Sequence, residues 1–108
     1  MARNDLQGTL DLLVLKTLAQ VPALHGYGIV LHIQRASKEI LQVEEGSLYP
    51  ALHRMELNGW LSSEWVVGEN KRRARFYKLT AAGRKQLAEA EKSWQQLMSG
   101  VEAMLRFA

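Results

Sequence analysis

The amino-acid sequence predicts a mainly α-helical protein with a small β-hairpin and a long C-terminal helix. Three observations predict this class. Apolar residues recur at helical spacing in four stretches, the pattern becomes extended between residues 62 and 79, and glycine or proline marks the breaks. The length of 108 residues fits one domain and excludes a full (β/α) barrel. The absence of cysteine excludes disulfides and cysteine-ligated metals.

The first two helices follow from the spacing of apolar residues. Helix one is predicted over roughly residues 6–20, where Leu10 and Leu13 lie on one face. A break follows at Pro22. Helix two is predicted over roughly residues 26–38, because the apolar residues at positions 29, 30, 33 and 36 share a face. An irregular connection is expected to follow it.

Helix three is predicted over roughly residues 45–58. Its buried face is set by apolar residues at i, i+4 and i+7, which are Leu48, Leu52 and Met55. Pro50 places the start of the helix close by, and Gly59 fits the left-handed position after the end of the helix. The outward face is then small and mixed, with Ser47 and Arg54 at its sides, and it consists of Gly46, Tyr49, Pro50, His53 and Leu57.

A hairpin and a last helix complete the chain. Residues 62–67 and 73–79 have strand character and are joined by the turn residues Gly68-Glu69-Asn70. Thr80 is the expected N-cap of a helix over roughly residues 81–105, which would be about 38 Å long. Its apolar residues alternate in spacing between three and four, the heptad pattern of a coiled coil, and they are Leu87, Ala90, Trp94, Leu97, Val101 and Met104. This row of apolar residues, the seam, is longer than the small domain before it and cannot be covered by that domain alone. Burial of the seam in a symmetric homodimer is therefore favoured. The alternative is a helix packed along its own core.

The formal net charge of +3 conceals an uneven distribution. Seven of the fourteen basic residues lie within residues 71–85, which contain no acid, and removing those seven charges from +3 leaves −4 for the remainder. Such a concentration favours a polyanionic partner, most simply nucleic acid, although a solvated charge run is the alternative. No secretory signal and no apolar run of membrane-spanning length is apparent, so we expect a soluble cytoplasmic protein without a membrane partner.

Three helices followed by a basic hairpin is the element order of a winged helix-turn-helix, whose third helix enters the major groove of DNA. We therefore predict a DNA-binding domain over residues 1–79 and a dimerisation helix over residues 80–108. Basic residues of the hairpin would attract phosphate, Ser47 would bind phosphate with the nearby helix amides, and Tyr49 and His53 would reach bases or sugars unless they are merely exposed. The predicted contacts are Ser47, Tyr49, His53, Arg54, Lys71, Arg72, Arg73 and Arg75.

Four ordered motifs add a resemblance to this interpretation. They are GTL at residues 8–10, HGY at 25–27, GSLYPALHRME at 46–56 followed by GWL at 59–61, and RRARFYKLTAAG at 72–83. Together they resemble the signature of the PadR family of transcriptional regulators, over nearly the whole chain. The resemblance implies a homodimeric repressor of the short subgroup that binds a palindromic operator and dimerises through its C-terminal helix. It places Ser47, Tyr49 and Pro50 in the recognition helix and Tyr27 at a helix start that meets phosphate.

Trp94 occupies a seam position where leucine would pack more readily. It is either a bulky residue of the dimer core or the wall of a cavity that stacks planar aromatic ligands. Some members of the family that the chain resembles respond to phenolic or other aromatic compounds, so a planar aromatic molecule is the effector that the resemblance implies.

Two other classes of function are weighed against DNA binding. Catalysis and a cofactor are not expected, because His25, His32 and His53 lack metal-binding spacing and no acid pair or nucleophile triad is apparent. A winged helix that binds only proteins is the second rival, since fold does not fix function. The concentrated positive charge argues against it.

Overall fold

The computed structural model describes the backbone of residues 2–108 and the side chains of residues 8–108. Within this part of the chain the elements are, in order, α1 (Ala2–Gln20), β1 (Leu24–His25), α2 (Gly26–Ala36), α3 (Glu45–Leu57), β2 (Leu61–Val67), β3 (Arg73–Leu79) and α4 (Ala81–Arg106). The mainly helical class, the hairpin and the long last helix are therefore confirmed.

The sheet has one strand more than the sequence predicts. β1 pairs antiparallel with β3, Leu24 opposite Tyr77 and His25 opposite Phe76, so the strand order is β1-β3-β2. A strand of two residues is too short to show a periodicity, which is why the predicted two-stranded hairpin is incomplete. β1 brings the start of α2 to the edge of the hairpin, where the side chain of His25 accepts a hydrogen bond from the Gly28 amide at 2.9 Å.

The core lies where α1, α2 and α3 meet the sheet. α3 buries the face that the sequence predicts, and Leu48, Leu52 and Met55 have no exposed surface. The other buried apolar residues are Val14, Leu15, Leu18, Ile29, Ile33, Ala51, Leu61, Tyr77 and Leu87. Leu87 corrects the predicted seam, because it packs in the core of its own chain and is only 8% exposed.

The ends of α2 and α3 are set by left-handed residues. α2 ends at Ala36, two residues earlier than predicted, and Lys38 and Glu39 then take φ angles of 55° and 67°. α3 ends at Leu57, one residue earlier than predicted, and Gly59 takes the predicted left-handed conformation with a φ of 79°. The Gly59 amide donates to Glu56 and the Trp60 amide donates to Met55, both at 3.0 Å. These two bonds form the motif that closes a helix through a left-handed glycine.

The start of α4 is joined to the end of α3. The Thr80 hydroxyl caps α4 by accepting from the Gly83 amide at 3.0 Å and donates to the Gly59 carbonyl oxygen at 2.6 Å. A Cβ atom at Gly83 would lie 2.1 Å from the Trp60 carbonyl oxygen, closer than atoms can approach. Only glycine therefore allows this contact between α4 and the start of β2.

The far part of α4 leaves the domain. α4 has 26 residues, which corresponds to a length of about 39 Å. The molecule measures 61 × 29 × 23 Å, so its long dimension is more than twice either of the others. From position 92 to the end, every residue except Met98 is exposed. This length agrees with the prediction that α4 extends beyond its own core.

We predict that Gly83→Ala lowers the free energy of unfolding by about 1–3 kcal/mol, because the new methyl group forces α4 away from Trp60. The matched control is Gly46→Ala in the first turn of α3, where a Cβ atom would meet nothing within 4 Å. That variant should be neutral or more stable, since alanine favours a helix over glycine. Urea unfolding of both variants measures the difference, and equal stabilities would contradict the close approach.

Candidate nucleic-acid interface

The outward face of α3 is the first part of the site. Because the apolar side of α3 is buried, the helix leaves seven of its residues exposed, and they are Glu45, Gly46, Ser47, Tyr49, Pro50, His53 and Leu57. The helical periodicity predicts Gly46, Tyr49, Pro50, His53 and Leu57 to face outward and Ser47 to lie at the side of that face. Glu44 is the N-cap residue but its side chain makes no capping bond, and Glu45 lies in the first turn.

Tyr49 is anchored rather than simply exposed. Its ring and hydroxyl lie against the backbone of Gly26, where a Cβ atom would be 2.7–2.9 Å from them. The pKa of Tyr49 is raised, first by burial and then by the charge and hydrogen bond of Glu45. The side chain is nevertheless 45% exposed, and it joins α3 to the start of α2 beside the exposed Tyr27.

Arg54 has a partner that the sequence does not reveal. Its guanidinium donates two hydrogen bonds to the Asp11 carboxylate, at 2.9 and 2.7 Å, and so ties α3 to α1. The Asp11 hydrogen bond is the main reason that the pKa of Arg54 is raised. A two-pronged ion pair within the chain thus engages the guanidinium, and the contact of Arg54 with DNA stays a prediction. The 43 positions between the two residues hide this pairing from the sequence pattern.

The wing, which we define as β2, β3 and the turn between them, is tied to α3 through Arg75. The Arg75 guanidinium donates to the Ser63 hydroxyl oxygen at 2.8 Å and to both Glu56 carboxylate oxygens at 3.1 and 3.2 Å. Ser63 donates to the same carboxylate at 2.6 Å. The pKa of Glu56 is lowered, chiefly by the Ser63 hydrogen bond and then by Arg75, against an opposing effect of burial. The Arg75 guanidinium therefore bonds within its own chain. The sequence predicts a phosphate contact for Arg75 and does not reveal these intramolecular bonds.

Trp65 is the residue of the wing that the sequence analysis missed. The guanidinium carbon of Arg73 lies 4.8 Å from its ring centroid, and that of Arg75 lies 5.6 Å away. Trp65 pairs directly with Arg75 in the strand register. Positions 73 and 75 share a face of β3, so the alternation of a strand combined with the hairpin register could have identified the cluster.

The structure brings some of the predicted contacts together and separates others. A cleft of about 420 Å³ lies between the start of α2, α3 and the wing, and its lining includes Tyr27, Tyr49, Trp65, Arg73 and Arg75. Ser47 and Pro50 line a different groove, of about 820 Å³, between α1, α3 and the segment before α3. The exposed Lys71 and Arg72 lie in the turn at the end of the wing, where Lys71 takes a φ angle of 62°.

A third groove, of about 400 Å³, lies between α1 and α4. Trp94 and Leu97 line it from α4, and Leu12 and Leu15 line it from α1. Ala90, another predicted seam residue, also lines this groove and is partly buried. Trp94 thus faces α1 of its own chain while 40% of its surface remains exposed.

The described part of the chain holds neither a metal-binding cluster nor a membrane-spanning helix. No group of three or more histidine, aspartate or glutamate side chains there is arranged to hold a metal ion. None of the helices in that part has both the length and the apolar character needed to cross a membrane.

The helices α2 and α3 with the three-stranded sheet define a winged helix-turn-helix. The profile of the transcriptional regulator PadR-like family matches residues 14–89. A stretch of 64 residues is 41% identical to the transcriptional regulator Rv3488 of Mycobacterium tuberculosis and covers 59% of each protein. The crystal structure of a PadR family regulator from Eggerthella lenta shares 32% identity over 99% of this chain and 91% of its own, with a TM-score of 0.79. The fold also matches Bacillus subtilis PadR, solved in complex with operator DNA, at 21% identity over 74% of this chain and 45% of that one, with a TM-score of 0.67.

The chain belongs to the PadR-like family of transcriptional regulators, which are not enzymes. The family model covers most of the core and ends within the first turns of α4, so it includes the recognition helix and the wing.

We predict a pH-dependent stability from Glu56. Its pKa in the folded protein lies below the ordinary value of 4.5, so its contribution is complete above that pH and is lost as the pH falls through the folded pKa. At pH 7, Glu56→Gln should be less stable than the natural protein by about 1 kcal/mol, because hydrogen-bonded charges contribute on that order. The difference should shrink below pH 4.5.

Glu64→Gln is the control for this measurement, because Glu64 is well exposed and lies 3.7 Å from Lys78. Its stability should follow that of the natural protein at each pH, since exposed pairs contribute little. Thermal unfolding in a series of buffers provides the comparison. A constant gap between Glu56→Gln and the natural protein down to the most acidic buffer would contradict the prediction.

Proposed function

We propose that this protein is a DNA-binding transcriptional regulator that reads duplex DNA with α3 and holds the backbone with its wing. One observation carries the proposal: an exposed helix face, with the acid Glu45 at its start and uncharged residues along most of its length, lies beside a basic wing tip, which we define as Lys71, Arg72 and Arg73. Among the described residues, no carboxylate lies within 4.0 Å of the charged groups of these three side chains. Cations without a nearby carboxylate, beside a helix that fits the major groove of DNA, favour binding to a polyanionic duplex over binding to a neutral protein.

We assign different tasks to the predicted contacts. Ser47 and the first amides of α3 would bind a phosphate, as helix N-termini do. Tyr49, Pro50 and His53 follow along the exposed face and would meet base edges and sugars. Tyr27, at the start of α2, would meet a second phosphate. Arg54 and Arg75 are assigned to holding α3 in place, because their donors are directed at Asp11, Glu56 and Ser63.

We further propose that the protein acts as a homodimeric repressor on a palindromic operator. α4 carries a row of large apolar side chains that its own domain leaves uncovered, with exposures of 40% for Trp94, 50% for Leu97, 41% for Val101 and 76% for Met104. An uncovered apolar row of this kind marks an interaction surface. A twofold axis along it would place two wings on one duplex, as a palindrome requires. Residues 80–108 would then serve dimerisation, with the first turns of α4 also completing the core.

The proposal extends to a planar aromatic effector. The groove beside Trp94 has an apolar wall from α1 and the size of a small-molecule site, and an indole offers a ring to stack on. Such a ligand would regulate DNA binding only if it binds one separation of the two α3 helices more tightly than another.

We predict that affinity for an operator fragment falls steeply with salt, and that Arg72→Ala combined with Arg73→Ala lowers the slope of log K against log salt by about 1.8, because each lost phosphate contact removes about 0.9. The matched control is Lys92→Ala combined with Arg106→Ala, which removes the same charge from the far part of α4. Fluorescence anisotropy at several salt concentrations measures both. No binding of the natural protein at low salt would refute the proposal, and equal slopes for the two double variants would refute the role of the wing.

We predict that Leu97→Asp separates the dimer into folded monomers, because it places a charge in the apolar row and disturbs little of the core. Leu57→Asp is the control, because Leu57 is a leucine outside α4 that is more exposed than Leu97, with 74% of its surface accessible against 50%. Sedimentation equilibrium gives the mass of each variant, and circular dichroism its helix content. A natural protein that sediments as a monomer, or a Leu97→Asp variant that stays dimeric, would contradict the proposed interface.

A further inference from the structure

The wing carries an exposed tryptophan in the middle of a strand. Trp65 is 54% exposed, and it is not among the buried residues of the hydrophobic core. Its ring lies against two arginines of β3. Arg75 is directly opposite, and Arg73 lies two residues before Arg75. Exposing an indole ring to water is unfavourable unless a partner covers its face. A guanidinium stacked over the ring is one such partner.

The two arginines differ in what they do with their donors. Arg75 directs its guanidinium at Ser63 and at both oxygens of Glu56, so its charge is matched and its position is fixed by α3. Arg73 is closer to the indole, at 4.8 Å, and among the side chains that the structure describes it has no hydrogen-bond or ion-pair partner. The ring therefore lies against two guanidinium groups, of which that of Arg75 is hydrogen-bonded and that of Arg73 has no such partner among the described side chains.

The pair of Trp65 and Arg73 lies at the cleft between the wing, the start of α2 and α3. Trp65 and Arg73 both line this cleft, and Tyr27 and Tyr49 lie across it. A long side chain loses rotamer freedom when it is held by a ligand, so an arginine already seated on a ring loses less on binding. A guanidinium seated in this way keeps the N–H groups along its edge available for a phosphate.

We propose that Trp65 is a positioning residue, which holds the Arg73 guanidinium at the mouth of this cleft so that it can bind a phosphate of the DNA backbone. Arg75 fixes the wing to α3 and does not supply this contact. The inference rests on the proposed DNA binding and adds to it the residue that organises the wing. The acting pair is Trp65 with Arg73, and Arg72 in the turn lies outside it.

A double-mutant cycle on the affinity for a DNA duplex of mixed sequence at low salt tests the pair. Trp65→Leu should weaken binding about two- to fivefold, the effect of losing one exposed cation–π contact. In a protein that already carries Arg73→Ala, the same change should have no further effect. Trp65→Phe keeps a ring face and should retain most of the affinity. If the side chain at position 65 had only an apolar role, the phenylalanine and leucine variants would bind DNA equally well.

The matched control is the cycle of Trp65→Leu with Arg72→Ala, in which the two effects should multiply. The salt slope gives a second readout, because Trp65→Leu leaves every charge in place and yet should lower the slope by about 0.9, as Arg73→Ala does. Urea unfolding shows whether each variant is folded, and Trp65→Phe carries the test if the leucine variant is not.

The outcomes separate this inference from the proposed function. Non-additive effects with Arg73 and multiplicative effects with Arg72 support the positioning role. Multiplicative effects in both cycles would overturn it and would indicate that Trp65 touches DNA directly, while DNA binding itself would stand. A natural protein that binds no DNA at low salt would overturn both.

Discussion

The junction between β3 and α4 is the contact on which the other parts of the structure depend. Gly83 lets the first turn of α4 lie against the carbonyl group of Trp60, and the Thr80 hydroxyl joins the same turn to Gly59. Gly59 and Trp60 also close the end of α3, immediately before β2 begins. One small cluster of backbone contacts therefore fixes the recognition helix, the wing and α4 relative to one another. Because the atoms are already in contact, even one methyl group at position 83 has to move an entire element.

A second set of contacts keeps the exposed side of α3 in place. Arg54 ties α3 to α1, the Glu56 carboxylate ties it to the wing through Arg75 and Ser63, and Tyr49 rests on Gly26 at the start of α2. Two of these ties use an arginine, Arg54 or Arg75, that could otherwise contact DNA. The result is a division of the basic residues, since some hold the helix and others remain at the wing tip. A recognition surface held in this way loses little freedom when it binds.

The charge distribution acquires a physical meaning from this division. Of the seven basic residues in residues 71–85, the Arg75 and Lys78 side chains face Glu56 and Glu64. The other five of the seven have no carboxylate within 4.0 Å among the side chains that the structure describes, and they lie at the wing tip and at Arg84 and Lys85 in α4. A dimer through the uncovered row of α4 would duplicate the wing tip. A protein of small net charge would then present two local cationic surfaces to one duplex, which is the distribution that phosphate binding needs.

Periodicity and turn chemistry alone predicted much of this protein. The inward face of α3, the capping by Thr80, the left-handed Gly59, the hairpin and the long α4 all follow from residues that are neighbours along the chain, and family membership followed from ordered motifs. The tertiary structure decided the short strand β1, the place of Leu87 in the core, the partners of Arg54 and Arg75, and the setting of Trp65. These features join residues far apart in sequence or depend on strand register and packing. Helical and strand periods report which face of an element is apolar, but they do not report which side chain lies opposite.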